Sequence, residues 1–66
     1  MLGNLLLNEL VYQDIPVDEA ADALGLRPDQ FLARLFGKVE FRLEEIQRMK
    51  ELLALTDEEV DTLFFG

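Results

Sequence analysis

The sequence contains no cysteine, no histidine, no tryptophan and no serine. Without cysteine and histidine it lacks the usual zinc ligands and the thiol and imidazole groups of nucleophilic and acid–base catalysis. Disulfide bonds are excluded for the same reason. In a chain of 66 residues these absences predict a protein that is not an enzyme and holds no cofactor and no metal.

Basic residues are also scarce, because six lysines and arginines stand against 14 acidic residues and give a net charge of −8. This balance argues against nonspecific binding to nucleic acids or anionic membranes. No apolar run approaches the roughly 20 residues that span a bilayer, and residues 1–4 lack the basic start of a signal peptide. We therefore expect one soluble, cytoplasmic domain over residues 1–66, without membrane contact.

The two prolines and four glycines divide the chain into helical segments. Pro16 and Pro28 suit first helical turns, Gly25 and Gly37 suit helix ends, and Thr56 opens a capping box with Glu59. Apolar spacing predicts five helices, over residues 2–13, 16–24, 28–36, 43–53 and 57–64. No strand pattern is present, so the predicted fold class is all-α.

Helical spacing also predicts which side chains form the core. The expected core positions are Leu6, Leu7, Leu10, Ala20, Ala21, Leu24, Phe31, Leu35, Leu43, Ile46, Met49, Leu52 and Leu53, with Phe41 inserted from a loop over residues 38–42. Leu5 and either Val11 or Tyr12 should be exposed. With Phe64 and Phe65 they offer a surface for self-association, although packing of the first helix on the fifth is the favoured alternative.

A helix–turn–helix layout surrounds Gly25-Leu26, with three flanking helices. Further residues match a known pattern: Ala21, Leu24-Gly25-Leu26, Leu35, Gly37-Lys38, Glu40-Phe41, Leu43, Glu45-Ile46 and residues 55–60. On these residues the segment 15–63 resembles the Cro and repressor family of phage helix-turn-helix proteins. The resemblance implies a compact five-helix domain like that of lambda repressor.

The same resemblance implies how such a domain meets DNA. Helix 28–36 would lie in the major groove, and the family's base-reading positions correspond to Pro28, Asp29, Leu32 and Ala33. The phosphate-contacting positions correspond to Val17, Lys38 and Arg42. Members of the family usually act as transcriptional repressors and often as dimers.

The DNA-facing residues nevertheless depart from the family's pattern. Pro16-Val17 replaces a Thr-Gln pair that touches phosphate, and Asp29 would repel phosphate. Arg27 and Arg42 occupy cap positions where the family has serine or threonine, and a lost cap costs about 1 kcal/mol. These departures favour the hypothesis that a phage-type scaffold has been repurposed, by engineering for example, to bind a protein, with ordinary divergence as the alternative.

Leu32 and Phe36 lie four residues apart, about 100° around the helix from the core pair Phe31 and Leu35. They should therefore point outward, and an exposed apolar patch typically marks a protein interface. An amphipathic helix of this kind fills a partner's groove. The sequence thus predicts a protein-binding module whose partner contacts helix 28–36 through Leu32, Phe36, Ala33, Val39 and Val17, with Asp29 and Arg34 as rim charges.

Three alternatives remain. Leu32 and Phe36 can pack on Leu43, Tyr12 or the first helix, or the patch can join two copies of the chain. The third is a sequence-specific DNA-binding repressor, in which the apolar side chains contact thymine methyl groups. Residues 27–42 favour it with four basic against two acidic residues, and its candidate contacts are Arg27, Gln30, Arg34, Lys38 and Arg42.

Overall fold

Five α-helices make up the part of the chain that the computed structural model describes, which is residues 3–66, with side chains from Leu5 onward. Their bounds are α1 Gly3–Tyr12, α2 Val17–Ala23, α3 Pro28–Leu35, α4 Leu43–Leu53 and α5 Asp57–Val60. A π-helical turn over Asp61–Phe65 continues α5. The predicted all-α class is confirmed, and residues 3–66 contain no strand. The predicted start of the first helix at Leu2 lies outside the described residues.

The first four helices end in the same way. Each is followed by one residue with a left-handed backbone, with φ of 59° at Asp14, 73° at Gly25, 80° at Gly37 and 54° at Ala54. The next N–H then donates to a carbonyl five residues back, in the pairs Ile15–Leu10, Leu26–Ala21, Lys38–Ala33 and Leu55–Lys50, each at 2.9 Å. This is the Schellman motif. Its glycines were predictable, whereas Asp14 and Ala54 were not, because each carries a Cβ into a conformation that favours glycine.

The helix starts preserve part of the capping that the sequence predicted to be lost at Arg27 and Arg42. Neither Arg27 nor Arg42 caps its helix with a side chain, because arginine has no hydrogen-bond acceptor. Their backbone N–H groups instead donate to the side chains of Gln30 and Glu45, each at 2.9 Å. At Thr56 the predicted capping box is confirmed in both directions.

The core joins α1, α2, α3, α4 and the π-helical turn, and Val60 of α5 packs against it. Its most deeply buried large side chains are Leu6, Leu10, Phe31 and Met49, none more than 1% exposed. Phe41 inserts from the α3–α4 loop as predicted, with its ring edge-on to Phe31 at 6.0 Å and to Phe64 at 5.3 Å. Edge-to-face pairs of this geometry stabilise a core beyond their burial. Phe41 thus ties the middle of the α3–α4 loop to the C-terminal turn.

Two predicted core leucines lie elsewhere. Leu7 is exposed, at 37%, because Leu6 and Leu10 form the buried stripe of α1 and each neighbouring residue is rotated by about 100°. Leu43 is 78% exposed, because it is the first residue of α4 and the buried face begins only at Glu45 and Ile46. The predicted exposure of Leu5 is confirmed, and Val11 and Tyr12 are both exposed.

Candidate protein-binding surface

Three large apolar side chains are exposed along the connection from α3 to α4. Phe36 directly follows α3, Val39 lies in the loop, and Leu43 begins α4, with exposed fractions of 69%, 45% and 78%. We call these three residues the apolar surface. Phe36 and Val39 were predicted at such a surface. Leu43 was missed, because its helical spacing to Ile46 suggested the core.

Both ends of this connection are fixed by a buried ion pair. Arg34, in the last turn of α3, donates from Nε to Oε1 of Glu45 at 2.8 Å. The Nη1 of Arg34 also donates to the carbonyl of Gln30 at 3.1 Å, and the same Glu45 oxygen accepts the N–H of Arg42. With Phe41 in the core between them, the loop is held in place while the apolar surface faces outward.

The other apolar residues of the predicted patch are covered more than expected. Leu32, Ala33 and Val17 are only partly exposed, and Leu32 and Val17 pack against the core. The expectation that Leu32 points fully outward is therefore wrong. The buried face of α3 covers more of the helix than the pair Phe31 and Leu35 alone. The helix packs against α2, and Arg34 is buried together with that pair.

Arg34 is also misplaced in both sequence-based interpretations. It is 9% exposed, so its side chain is neither a rim charge of an interface nor available to phosphate. The burial of Arg34 follows from its position, because it lies three residues after Phe31 and therefore on the buried side of α3. Asp29 is exposed as expected, but it forms an ion pair with Arg27, Nε to Oδ1, at 3.2 Å.

The remaining DNA-binding candidates are divided. Gln30 is half-buried and its side-chain oxygen accepts the N–H of Arg27. Lys38 and Arg42 are exposed, and neither forms an ion pair with a side chain that the structure describes. Of the five side chains predicted to contact DNA, only Lys38 and Arg42 are therefore exposed cations without an ion-pair partner among the described residues.

Two features are absent from the part of the chain from residue 3 onward. No group of three or more potential ligands there is arranged to hold a metal ion, and none of its helices is long and apolar enough to cross a membrane. A comparison with known protein families, curated proteins and solved structures found no match to the chain.

Proposed function

We propose that this domain is a protein-binding module that recognises its partner through the apolar surface of Phe36, Val39 and Leu43. The observation that carries the proposal is the exposure of these three side chains on a connection that is otherwise anchored. Exposed clusters of large apolar residues are typical of interaction sites, and aromatic residues are frequent hot spots. The domain would act within the cytoplasm and without catalysis.

The fixed conformation of the α3–α4 connection supports a binding role for the apolar surface. The Arg34–Glu45 ion pair and the half-buried ring of Phe41, packed between Phe31 and Phe64, hold the loop before any partner arrives. Binding then costs little additional ordering of the chain. Complete burial of one phenylalanine or leucine side chain contributes roughly 1.5–3 kcal/mol, so a partner with matching apolar side chains would gain most of its affinity here.

The finer fold assignment belongs to the same proposal. Helices α2 and α3 pack on each other across a turn at Gly25, as expected for a helix-turn-helix of the phage-regulator type. In that interpretation α3 occupies the place of a recognition helix. Its exposed Asp29 pairs with Arg27 just before the helix, and Phe36 is exposed just after it. This end of the domain is suited to a protein rather than to phosphates.

Sequence-specific DNA binding is the second candidate, and the exposed Lys38 and Arg42 favour it. Burial of Arg34 and pairing of Arg27 with Asp29 count against it, because cations already neutralised within the protein release few counterions from DNA. Self-association through the apolar surface is a third candidate.

The test is a selection of binding peptides from a random displayed library, using the intact domain. We expect the selected peptides to lose binding by about tenfold or more to Phe36→Ser, as hot-spot loss predicts, and to keep it with Phe65→Ser. Phe65 is a matched control because it is also an exposed phenylalanine, at 61%, and is not one of the three residues of the apolar surface. Peptides that bind both variants equally would contradict the proposal.

The alternatives have their own measurements. Fluorescence anisotropy with labelled mixed-sequence duplex DNA at low salt gives DNA binding its best conditions. Micromolar binding that weakens with salt, and with Lys38→Ala, would support the repressor interpretation. Light scattering after size-exclusion chromatography tests self-association, and a dimer that Phe36→Ser dissociates would assign the apolar surface to a second copy.

A further inference from the structure

A groove of about 450 Å³ lies between α1 and the C-terminal helical segment. Its walls come from Leu5, Glu9 and Tyr12 on α1 and from Glu58, Glu59 and Leu63 on the other side. None of these residues belongs to the apolar surface. The groove is therefore a separate feature of the molecule, built by different helices.

The groove combines apolar and anionic chemistry. Leu63 is buried, and Leu5 and the ring of Tyr12 are exposed beside it. Three carboxylates surround them, and no basic residue lines the groove. Glu9 accepts a hydrogen bond from Gln13 through one oxygen, and Glu59 accepts the N–H of Thr56 through one oxygen. Each has its second oxygen without a partner among the described residues.

We propose that this groove docks a basic amphipathic segment of a partner protein. Apolar side chains of that segment would cover Leu5 and Leu63, and its lysines or arginines would pair with Glu9, Glu58 and Glu59. Tyr12 adds a ring face for a cation, which is attracted by the negative quadrupole of the ring.

Charge complementarity selects this occupant over a second copy of the chain. A second copy that docked groove to groove would bring its own three carboxylates against the three of the first. A basic segment instead gains electrostatic steering, which raises its association rate and suppresses like-charged competitors. The domain would then contact two different partner surfaces, one at the apolar surface and one at the groove.

The probes are two labelled synthetic peptides of 16 residues, each with leucines along one helical face. One carries arginines on its other face and the second carries glutamates there. We expect the arginine peptide to bind with a salt-sensitive, micromolar affinity and the glutamate peptide not to bind. Amide chemical shifts in the intact domain should move at Leu5, Tyr12 and Thr62, and not at Phe36 or Val39.

Glu58→Lys tests the groove directly, because Glu58 is exposed and makes no described hydrogen bond or ion pair. We expect it to weaken the arginine peptide by about tenfold, as lost charge pairs do. Glu51→Lys, on α4 and outside the groove, makes the same change of net charge and should alter affinity less than twofold. Equal effects of both variants would show attraction to net charge alone and overturn the proposal.

Two further results would also overturn it. One is an absence of binding at hundreds of micromolar arginine peptide, and the other is a dimer that Leu5→Glu dissociates, which would give the groove to a second copy. The proposal does not depend on the apolar surface. If Phe36→Ser abolished binding of the arginine peptide and Glu58→Lys left it unchanged, the peptide would bind at the apolar surface. That result would contradict the proposed docking groove and support the first proposal.

Discussion

Arg34 and Glu45 form a buried ion pair that joins the last turn of α3 to the first turn of α4. Their side chains are only 10% and 9% exposed, and the Nε to Oε1 distance is 2.8 Å. Each charge also has the sign that complements its helix end, positive at the C-terminus of α3 and negative at the N-terminus of α4. The described part of the chain leaves no buried side-chain nitrogen or oxygen without a partner.

Replacing Arg34 with methionine should destabilise the fold by about 3 kcal/mol or more, because the carboxylate of Glu45 is left buried without its cation. Urea unfolding followed by circular dichroism measures the change. Arg27→Met is the matched control, because its ion pair with Asp29 is exposed and such pairs contribute about 0–1 kcal/mol. An equal, small effect of both substitutions would contradict a structural role for the buried pair.

Ala54→Gly should stabilise the protein by about 1 kcal/mol, because Ala54 holds a left-handed backbone that costs an L-residue about 1–2 kcal/mol. The control is Ala23→Gly. Ala23 is exposed in α2 and has ordinary helical backbone, so its replacement should destabilise by roughly 0.5–1 kcal/mol. Thermal unfolding measures whether each variant is more or less stable than the original protein. A loss of stability in Ala54→Gly would show that α4 does not end in this turn.

Phe36 and Phe41 lie five residues apart and should respond oppositely to truncation. Phe36→Ala should change the free energy of unfolding by less than about 0.5 kcal/mol, since surface substitutions rarely do more. Phe41→Ala should cost about 2–3 kcal/mol, somewhat less than for a fully buried phenylalanine, because its ring is half-buried between Phe31 and Phe64. A large loss in Phe36→Ala would place that ring in the core and remove it from any binding surface.

Asp57 offers a prediction about pH. The ammonium group of Lys50 donates a hydrogen bond to its carboxylate and attracts it electrostatically, and both effects lower the pKa of Asp57 below its usual 3.8. A lowered pKa in the folded state means that this contact stabilises the fold above pH 3.8 and that the contribution disappears as the pH falls through the folded-state pKa.

An NMR titration of the Asp57 carboxyl carbon measures that pKa. We expect Lys50→Met to return the value to the usual range and Lys38→Met to leave it unchanged, because Lys38 has no ion-pair partner within residues 3–66. An unchanged pKa in Lys50→Met would contradict the contact.

The sequence was sufficient to predict the class of the fold and four of the local signals that start or end helices, because local chemistry decides them. Gly25, Gly37, Pro28 and the Thr56 capping box act within a few residues. Helix spacing likewise identified Leu6, Leu10, Phe31 and Met49 as core residues. The α4 bounds were predicted as observed, since Arg42 precedes the helix and Leu53 ends its apolar repeat.

The candidate surface was less predictable, because it depends on which helices meet. Arg34 was interpreted as exposed because arginine usually is, and only its partner Glu45, eleven residues away, explains its burial. Leu32 depends on how much of α3 its neighbours cover. Leu43 has helical spacing to Ile46 but lies at the start of α4, where the core contacts have not yet begun.

The repeated turn construction has a consequence for how the chain folds. Each of the first four helices stops by hydrogen bonds that span no more than five or six residues, so the changes of direction do not wait for distant segments to meet. Local closure of this kind is associated with folding in microseconds to milliseconds. It also separates two sets of positions: those that decide where the chain turns, and those on the outer faces, such as Phe36 and Glu58, which can change their chemistry while the turns persist.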